Sequence, residues 1–286
     1  MPACLLGLGS NLGDSEATLR TAVGEITALP DVQVVRSSEW HRTKSVGGPP
    51  DQPDYVNGAA LVESTVPPLR FLAELQQIEK RHGRTRDERW APRTLDIDVL
   101  LYGSDVSETP MLTLPHPRMT FRKFVLEPAV EIAPKMLHPT IGWHIERLLL
   151  HLEHASNQVA LVTPSDDLRQ WLVTLLAARV GVRQIDRPTF ATANQIWPPL
   201  WTTWLEVPAA AAAQAVEQKP ALPYAAAAFP KLSVLIDADI AHRGADKLQW
   251  STLVRQPGRG PTLRLQTVDR PEIEAEVFAA VKAVWP

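Results

Sequence analysis

The chain has 286 residues and a formal net charge of −3, and this length predicts about two domains. A hydrophobic content of 45% is enough for a buried core, and the mild acidity argues against nucleic acid or an anionic membrane as a partner. The single cysteine, Cys4, excludes an intrachain disulfide and favours a reducing compartment. We expect a cytoplasmic protein without a signal peptide, because no basic segment precedes the first glycines and no apolar stretch is long enough to span a bilayer.

The first half alternates short strands with amphipathic helices. Leu19, Val23 and Ile26 recur at helical spacing, whereas Cys4 to Leu8 forms a short apolar run that ends at a glycine-rich turn. The patterns predict strands over residues 4–8, 32–40, 56–63 and 96–101, helices over 16–29 and 68–80, and a last extended piece over 122–126. The order of the main elements, β-α-β-β-α-β, predicts an α+β sandwich of the ferredoxin-like type.

A basic loop runs into an apolar strand between Gly83 and Leu101. The loop carries four arginines within ten residues, Arg84, Arg86, Arg89 and Arg93. Asp96 and Asp98 stand two positions apart in the strand, so their side chains share one face. Because adjacent carboxylates in an apolar strand repel each other, a divalent cation such as Mg²⁺ would stabilise them, and the arginines would bind phosphates. A lone Asp-x-Asp is more often a solvated strand edge, but the preceding arginines favour the metal site.

Four motifs in order carry a resemblance to a known family. They are GLGSNLGD near the N-terminus, DQPDYVNGA at Asp51–Ala59, the segment Gly83–Gly103, and LTLPHPRMTFRKFVLEP at Leu112–Pro128. Over about residues 3–150 they resemble the 6-hydroxymethyl-7,8-dihydropterin pyrophosphokinases of folate biosynthesis, whose fold is ferredoxin-like. The resemblance implies that pyrophosphate moves from ATP to the hydroxymethyl group of the pterin, that AMP is released, and that two Mg²⁺ ions bind with ATP.

The resemblance also implies roles for individual residues. The catalytic set is Arg86, Arg93, Asp96 and Asp98, and the two aspartates are the metal ligands. The pterin-binding set is Thr43, Val46, Tyr55, Asn57, Trp90 and Phe124, with the aromatic rings as stacking partners and the amide as a reader of the ring edge. The ATP-binding set is Gln76, Glu79, Arg86, Arg93, Thr113, His116 and Arg122. Taken singly, the aromatic residues are more typical of a core and His116 of a turn.

Residues 156–286 lie outside this resemblance and predict a second α/β domain of unknown role, after a first domain over residues 1–155. Strands are predicted over 159–162 and 231–238, and helices over 168–180 and 272–284, in an order typical of a parallel sheet. This order faintly resembles a P-loop kinase, but the turn Thr163–Leu168 holds two aspartates where that loop needs glycines and a lysine. A degenerate kinase-like domain and an unrelated α/β domain both remain open.

The sequence therefore predicts an ATP- and Mg²⁺-dependent pterin pyrophosphokinase with an accessory domain that is a candidate dimerisation surface. One alternative is a bifunctional enzyme with an active C-terminal nucleoside kinase, which the missing phosphate loop disfavours. Another is a non-catalytic pterin- or nucleotide-binding regulator, which the intact aspartate pair disfavours.

Overall fold

The computed structural model describes residues 1–46, 52–83, 92–185, 202–208, 229–236, 260–267 and 269–285. The chain divides into two compact units, Met1–Leu149 and Leu150–Pro286. The boundary predicted from the sequence lies a few residues further along the chain. Within the described ranges, no helix is both long and apolar enough to cross a membrane.

The first unit contains a five-stranded sheet, with one helix after its first strand and a second helix before its last strand. Its elements are β1 (Ala3–Ser10), α1 (Ser15–Thr27), β2 (Val32–Ser37), β3 (His41–Thr43), β4 (Tyr55–Ser64), α2 (Pro68–Arg81) and β5 (Asp96–Tyr102). The main strands lie in the order β2, β4, β1, β5, every neighbouring pair is antiparallel, and β3 pairs with β4. This order confirms the predicted ferredoxin-like βαββαβ fold.

The two helices begin at recognisable signals in the sequence. Asp14 precedes α1, and its carboxylate accepts a hydrogen bond from the backbone N–H of Ala17 at 3.1 Å. The helix α2 begins at Pro68, whose missing N–H would have no partner in a first turn.

The core of this unit lies between the sheet and these helices. Leu6 and Leu8 of β1 point toward the helices because side chains alternate along a strand. Each fully buried aliphatic side chain stabilises the fold by roughly 1.5–3 kcal/mol. The residues of α1 and α2 that complete this core at 0% exposure are Leu19, Ile26, Phe71, Leu75 and Ile78.

The chain after β5 wraps around the sheet with short elements. These are β6 (Ser107–Glu108), β7 (Thr113–Leu114), a 3₁₀ turn (Met119–Phe121), α3 (Lys123–Ile132) and α4 (Ile145–His154). The predicted extended piece over 122–126 is wrong, because α3 begins at Lys123. The helical spacing of its buried residues, Val125, Leu126, Ala129 and Ile132, becomes apparent only when the window extends past Pro128.

The buried imidazole of His138 gives a prediction about acid stability. The ring is 4% exposed, its Nδ1 accepts a hydrogen bond from the backbone N–H of Ile141 at 3.3 Å, and burial lowers its pKa from 6.5 to about 4. The unfolded chain therefore binds a proton between these pH values that the folded chain does not. We expect His138 to contribute stability that is present above pH 6.5 and is lost as the pH falls, by about 2 kcal/mol between pH 7.5 and 5.

Urea unfolding of the wild type and of His138→Asn at both pH values measures this contribution. Asparagine keeps an acceptor in place of Nδ1 but does not titrate, so the free energy of unfolding of the variant should fall by about 2 kcal/mol less than that of the wild type. An equal fall in both proteins would contradict the assignment, since the other buried groups are common to them.

The second unit contains a five-stranded mixed sheet. Its described elements are β8 (Gln158–Val162), α5 (Asp166–Val180), β9 (Arg183–Ile185), β10 (Thr202–Glu206), β11 (Leu232–Ile236), β12 (Thr262–Leu265) and α6 (Arg270–Val284). The strand order is β12, β11, β8, β10, β9, in which the first three are parallel and the last two run antiparallel to their neighbours. The predicted α/β class is confirmed, and the sheet is only partly parallel.

Candidate functional site

The central strand β1 leaves a strip without side chains on the sheet face opposite α1 and α2. Gly9 pairs with Asn57 of β4 on one side and with Asp96 of β5 on the other. Gly7 pairs in the same way with Asp98. A Cβ atom added at Gly9 would lie 3.3 Å from Oδ1 of Asn57, so a side chain here would intrude on the strip. The two glycines therefore separate an amide-bearing wall from a carboxylate-bearing wall.

A cavity of about 230 Å³ lies over this strip. Ten of the residues predicted from the sequence line it: Thr43, Val46, Tyr55, Asn57, Arg93, Asp96, Asp98, His116, Arg122 and Phe124. The predicted Arg86 and Trp90 lie outside the described residues. Four cationic side chains, Lys44, Arg93, Arg118 and Arg122, face two anionic ones among the described lining residues, so the cavity suits a polyanion.

The wall formed by β3 and β4 is braced by its own polar groups. Nδ2 of Asn57 donates to Oγ1 of Thr43 at 2.8 Å, and Thr43 pairs with Tyr55 across the two strands. With its donor directed at Thr43, Asn57 has its Oδ1 on the side of Gly9. The guanidinium of Arg122 lies 5.5 Å from the ring centroid of Phe124, and both residues line the cavity. Aromatic rings and an amide that line one cavity suit a planar heterocycle with polar edges.

The wall formed by β5 carries the acid pair. Nη1 of Arg93 lies 2.7 Å from Oδ2 of Asp96. Burial alone would lower the pKa of the Arg93 guanidinium, but the charge and hydrogen bond of Asp96 raise it above its ordinary value. The strand is fixed between the two acids, because the backbone N–H of Ile97 donates to Oε1 of Glu79 at 2.8 Å.

The acid pair fits magnesium that arrives with a nucleotide. Asp96 and Asp98 are hard oxygen donors on one strand face. No group of three His, Cys, Asp or Glu side chains able to hold a metal occurs among the described residues. A cation held by two carboxylates has open positions for phosphate oxygens and water, as is common for Mg²⁺.

His116 is an uncharged hydrogen-bonding group beside the acids. Burial, followed by the charges of Arg122 and Arg118, lowers its pKa to about 3. Its Nδ1 accepts from the backbone N–H of Arg118 at 3.2 Å, so the proton of the neutral ring resides on Nε2. That nitrogen lies 3.6 Å from Oδ2 of Asp98. His116 therefore presents a single N–H donor next to the carboxylate pair.

A second cavity, of about 260 Å³, shares Asp98 and His116 with the first. Leu72, Val99 and Leu112 contribute apolar walls, and the predicted Thr113 lines it.

Gln76 and Glu79 line neither of the two cavities. Glu79 is 2% exposed and holds the Ile97 backbone, and the ATP contact predicted for both residues stays a prediction.

Comparison with known proteins decides the family. A family model described as 7,8-dihydro-6-hydroxymethylpterin-pyrophosphokinase (HPPK) matches residues 5–134. A 2-amino-4-hydroxy-6-hydroxymethyldihydropteridine pyrophosphokinase of Synechocystis is 41% identical over 145 residues, which are 51% of this chain and 73% of that protein. This chain belongs to the HPPK family. The Haemophilus influenzae member is 42% identical over 139 residues, 49% of this chain and 86% of its own length.

Among solved structures, a crystal structure of HPPK-DHPS in complex with substrates is similar with a TM-score of 0.40 and 14% sequence identity. It covers 52% of this chain, and this chain covers 43% of it. The sequence relatives confirm the predicted activity of HPPK, ATP-dependent pyrophosphoryl transfer to hydroxymethyldihydropterin in folate biosynthesis. They concern the first half of the chain, since the family model ends at residue 134.

Sequence reasoning missed several residues that shape the HPPK site. Gly7 and Gly9 form the floor, and the alternation of glycine with leucine in GLGS was the available signal. Arg118 lines the main cavity and stands two residues after His116, within the motif already noted. Gln52 was not predicted, because its contact with Asn11 joins distant segments and local periodicity does not indicate it.

In the second unit, the turn that occupies the place of a phosphate loop is filled by its own side chains. Oγ of Ser165 accepts from the backbone N–H of Leu168 at 3.3 Å and caps α5. Arg169 binds both Asp166 and the carbonyl of Thr163. Because the helix end is already capped and carries acidic groups in its first turn, it does not suit a triphosphate.

We therefore predict that the second unit transfers no phosphate. The full chain carrying Asp98→Ala, which silences the first unit, should show no phosphorylation of nucleosides by labelled ATP, and residues 156–286 alone should be equally silent. Nucleoside kinase turnover that persists in Asp98→Ala and is abolished by a further substitution in the second unit would contradict this prediction.

Proposed function

We propose that pyrophosphoryl transfer takes place where the two cavities of the first unit meet. The supporting observation is that Asp98 and His116 line both cavities. The adenosine of ATP would bind in the cavity that Thr113 lines. Its phosphates would extend past Asp96 and Asp98 and reach a pterin bound in the cavity over Gly7 and Gly9. In this arrangement the β-phosphorus of ATP faces the hydroxymethyl group, and positioning supplies most of the rate acceleration.

The pterin lies between Tyr55 and Phe124 in this proposal, and the described edge of the cavity is completed by Thr43 and Val46. Oδ1 of Asn57 accepts a hydrogen bond from the N–H edge of the ring, because its Nδ2 is held by Thr43. The glycine strip allows the ring to lie close to the sheet. The predicted stacking of Trp90 belongs to the same proposal, and that residue lies outside the described part of the chain.

The phosphates lie against Arg93, Arg122 and the N–H of His116. Asp96 and Asp98 would hold the two predicted Mg²⁺ ions, which supply charge neutralisation and polarise the phosphoryl oxygens when bound with ATP. The charge on the oxygens of the transferred group grows in the transition state, so fixed cations at this wall lower the barrier.

The reaction in this arrangement is an in-line displacement. The hydroxyl oxygen forms a bond with the β-phosphorus, and the bond between that phosphorus and the oxygen bridging to the α-phosphate breaks. AMP leaves with the electron pair, and the hydroxyl proton passes to a carboxylate oxygen of Asp96. His116 donates its Nε2–H to a phosphate oxygen, because its Nδ1 is occupied by the backbone N–H of Arg118.

The assignment of the two cavities is testable by direct binding measurements. Phe124 is half-buried, so Phe124→Ala should leave the fold intact and raise the Kd of the pterin at least about tenfold, since a stacked ring loses its partner. Thr113→Ala should raise the Kd of a non-hydrolysable ATP analogue and leave that of the pterin unchanged. Leu69→Ala, at an exposed position of α2, is the control. If each variant weakened the other substrate, the cavities would be assigned the wrong way round.

Two further predictions stay proposals. Homodimerisation through residues 156–286 is tested by sedimentation of the full chain over a range of concentrations. The cytoplasmic location is tested by cell fractionation.

A further inference from the structure

Asn11 is a buried polar residue that the reaction described so far does not use. It follows β1 directly, and it is 3% exposed. Its backbone N–H donates to the carbonyl of Arg93 at 3.0 Å, and its Oδ1 accepts from the backbone N–H of Arg93 at 2.7 Å. Asn11 therefore holds both polar groups of the Arg93 backbone.

The other end of the same amide reaches a different loop. Because the Arg93 N–H fixes Oδ1, the amide orientation is settled, and Nδ2 must face the opposite way. Nδ2 lies 3.4 Å from Oε1 of Gln52 and 3.3 Å from the carbonyl of Pro53. These two residues stand just before β4, close to Tyr55 and at the end of the loop that follows Thr43.

One side chain thus joins two segments that serve different substrates. On one side, Gln52 and Pro53 belong to the segment that carries the proposed pterin contacts. On the other side, Arg93 lies 2.7 Å from Asp96 and belongs to the proposed phosphate wall. Both Nδ2 contacts are near the long limit for hydrogen bonds, so the shorter Oδ1 contact with Arg93 is the stronger side of this link.

We propose that Asn11 is a positioning residue that sets Arg93 and Asp96 relative to the bound pterin. The inference rests on the proposed function, because it takes the pterin and phosphate walls as assigned. Asn11 lines neither of the two cavities. It transmits the position of the pterin loop to the guanidinium that faces the transferred group, so its effect belongs to kcat and passes through Arg93.

The substitution Asn11→Asp separates the hydrogen bond to Arg93 from the hydrogen bonds to Gln52 and Pro53. The aspartate keeps the acceptor for the Arg93 N–H and loses both donors to Gln52 and Pro53. We expect kcat for AMP release to fall about 10- to 100-fold, as for other misplaced catalytic groups. The KM values of ATP and of the pterin should change less than about threefold, since ground-state contacts remain.

A double-mutant cycle with Arg93→Ala distinguishes positioning from simple support of the fold. If Asn11 acts through Arg93, adding Asn11→Asp to Arg93→Ala should lower kcat by less than about twofold. A purely structural role would give additive losses and a lower unfolding midpoint in urea. Additive losses, or a kcat within twofold of the wild type for Asn11→Asp, would overturn the proposal.

Two further variants guard against misfolding and against the charge of the new aspartate. Gln52→Met deletes the acceptor from the opposite side at a half-buried position, and it should lower kcat in the same direction with no further loss when combined with Asn11→Asp. Asn157→Asp makes the same substitution in the second unit, where Oδ1 accepts from Lys231 and Trp285, and it should leave kcat unchanged. If the wild type released no AMP, the proposed function itself would be wrong. If the wild type were active and the losses in kcat from Asn11→Asp and Arg93→Ala were additive, only the role of Asn11 would be wrong.

Discussion

Replacing Asp96 or Asp98 by alanine should abolish pyrophosphoryl transfer while the protein stays folded. The two carboxylates share one face of β5 and line the cavity over the glycine strip. If they hold the magnesium that neutralises the triphosphate, losing either should cost about 4 kcal/mol of transition-state stabilisation, or about 10³-fold in kcat/KM. The measurement is AMP release at saturating ATP and pterin over a range of Mg²⁺ concentrations.

The control for this experiment is Asp105→Ala, which removes an exposed carboxylate just after the same strand. It should keep wild-type activity, so that loss of charge alone is excluded as the cause. Circular dichroism and urea unfolding of both site variants should show a folded protein, since neither aspartate belongs to the hydrophobic core. Near-normal turnover of both variants at saturating Mg²⁺ would show that the metal assignment is wrong.

Arg93→Ala and Arg86→Ala should slow the chemical step more than they weaken ATP binding. Arg93 is fixed against Asp96, whose charge and hydrogen bond raise the pKa of the guanidinium further above its ordinary value. Removing a fixed cation from the developing charge should lower kcat about 10²- to 10³-fold. We expect the KM of ATP to change much less, because an interaction made mainly in the transition state contributes to kcat.

Arg36→Ala is the matched control, since it removes an exposed arginine from β2 on the same sheet. Arg93→Lys tests whether charge alone suffices, and it should recover only part of the rate because the ammonium cannot reproduce the planar fork of the guanidinium. A raised KM of ATP with an unchanged kcat in Arg93→Ala would show a ground-state binder instead.

Much of the first unit was predictable because its local signals agree. The apolar periods of the predicted strands and helices pointed to the βαββαβ order that the structure shows. The beginning of α3 was misassigned, because residues 122–126 are too few to show a helical period and Pro128 interrupts the pattern. Local sequence also gave no indication that β3 is a separate strand, since its pairing with β4 is a long-range contact.

The site was predictable where residue type and position carry the chemistry. Asp96 and Asp98 lie on one face because of their spacing, and Tyr55 and Asn57 line the cavity that the resemblance implied. The role of Asn11 was not predictable, because its hydrogen bonds join residues that are far apart in the sequence. Glu79 was predicted to contact ATP. Its observed hydrogen bond to the backbone N–H of Ile97 in β5 was not predictable from its place on the helix.

The second unit shows what periodicity leaves undetermined. The runs at β8 and β11 and the helices α5 and α6 were located from their apolar residues, and their starts differ by one or two positions from those predicted. The predicted end of the β11 strand, residues 237–238, lies outside the described residues. Strand direction is a property of the connections, and a short apolar run looks the same in either direction. The antiparallel placement of β9 and β10 therefore could not be read from the sequence.

The most direct test of the account is an assay of AMP and ADP release with 6-hydroxymethyl-7,8-dihydropterin as acceptor, run on the full chain and on residues 1–155. The account predicts pterin-dependent formation of AMP without ADP, with similar turnover by both proteins and none by Asp98→Ala. Formation of ADP, or AMP release that does not depend on the pterin, would contradict the claim that the first unit is the pyrophosphokinase.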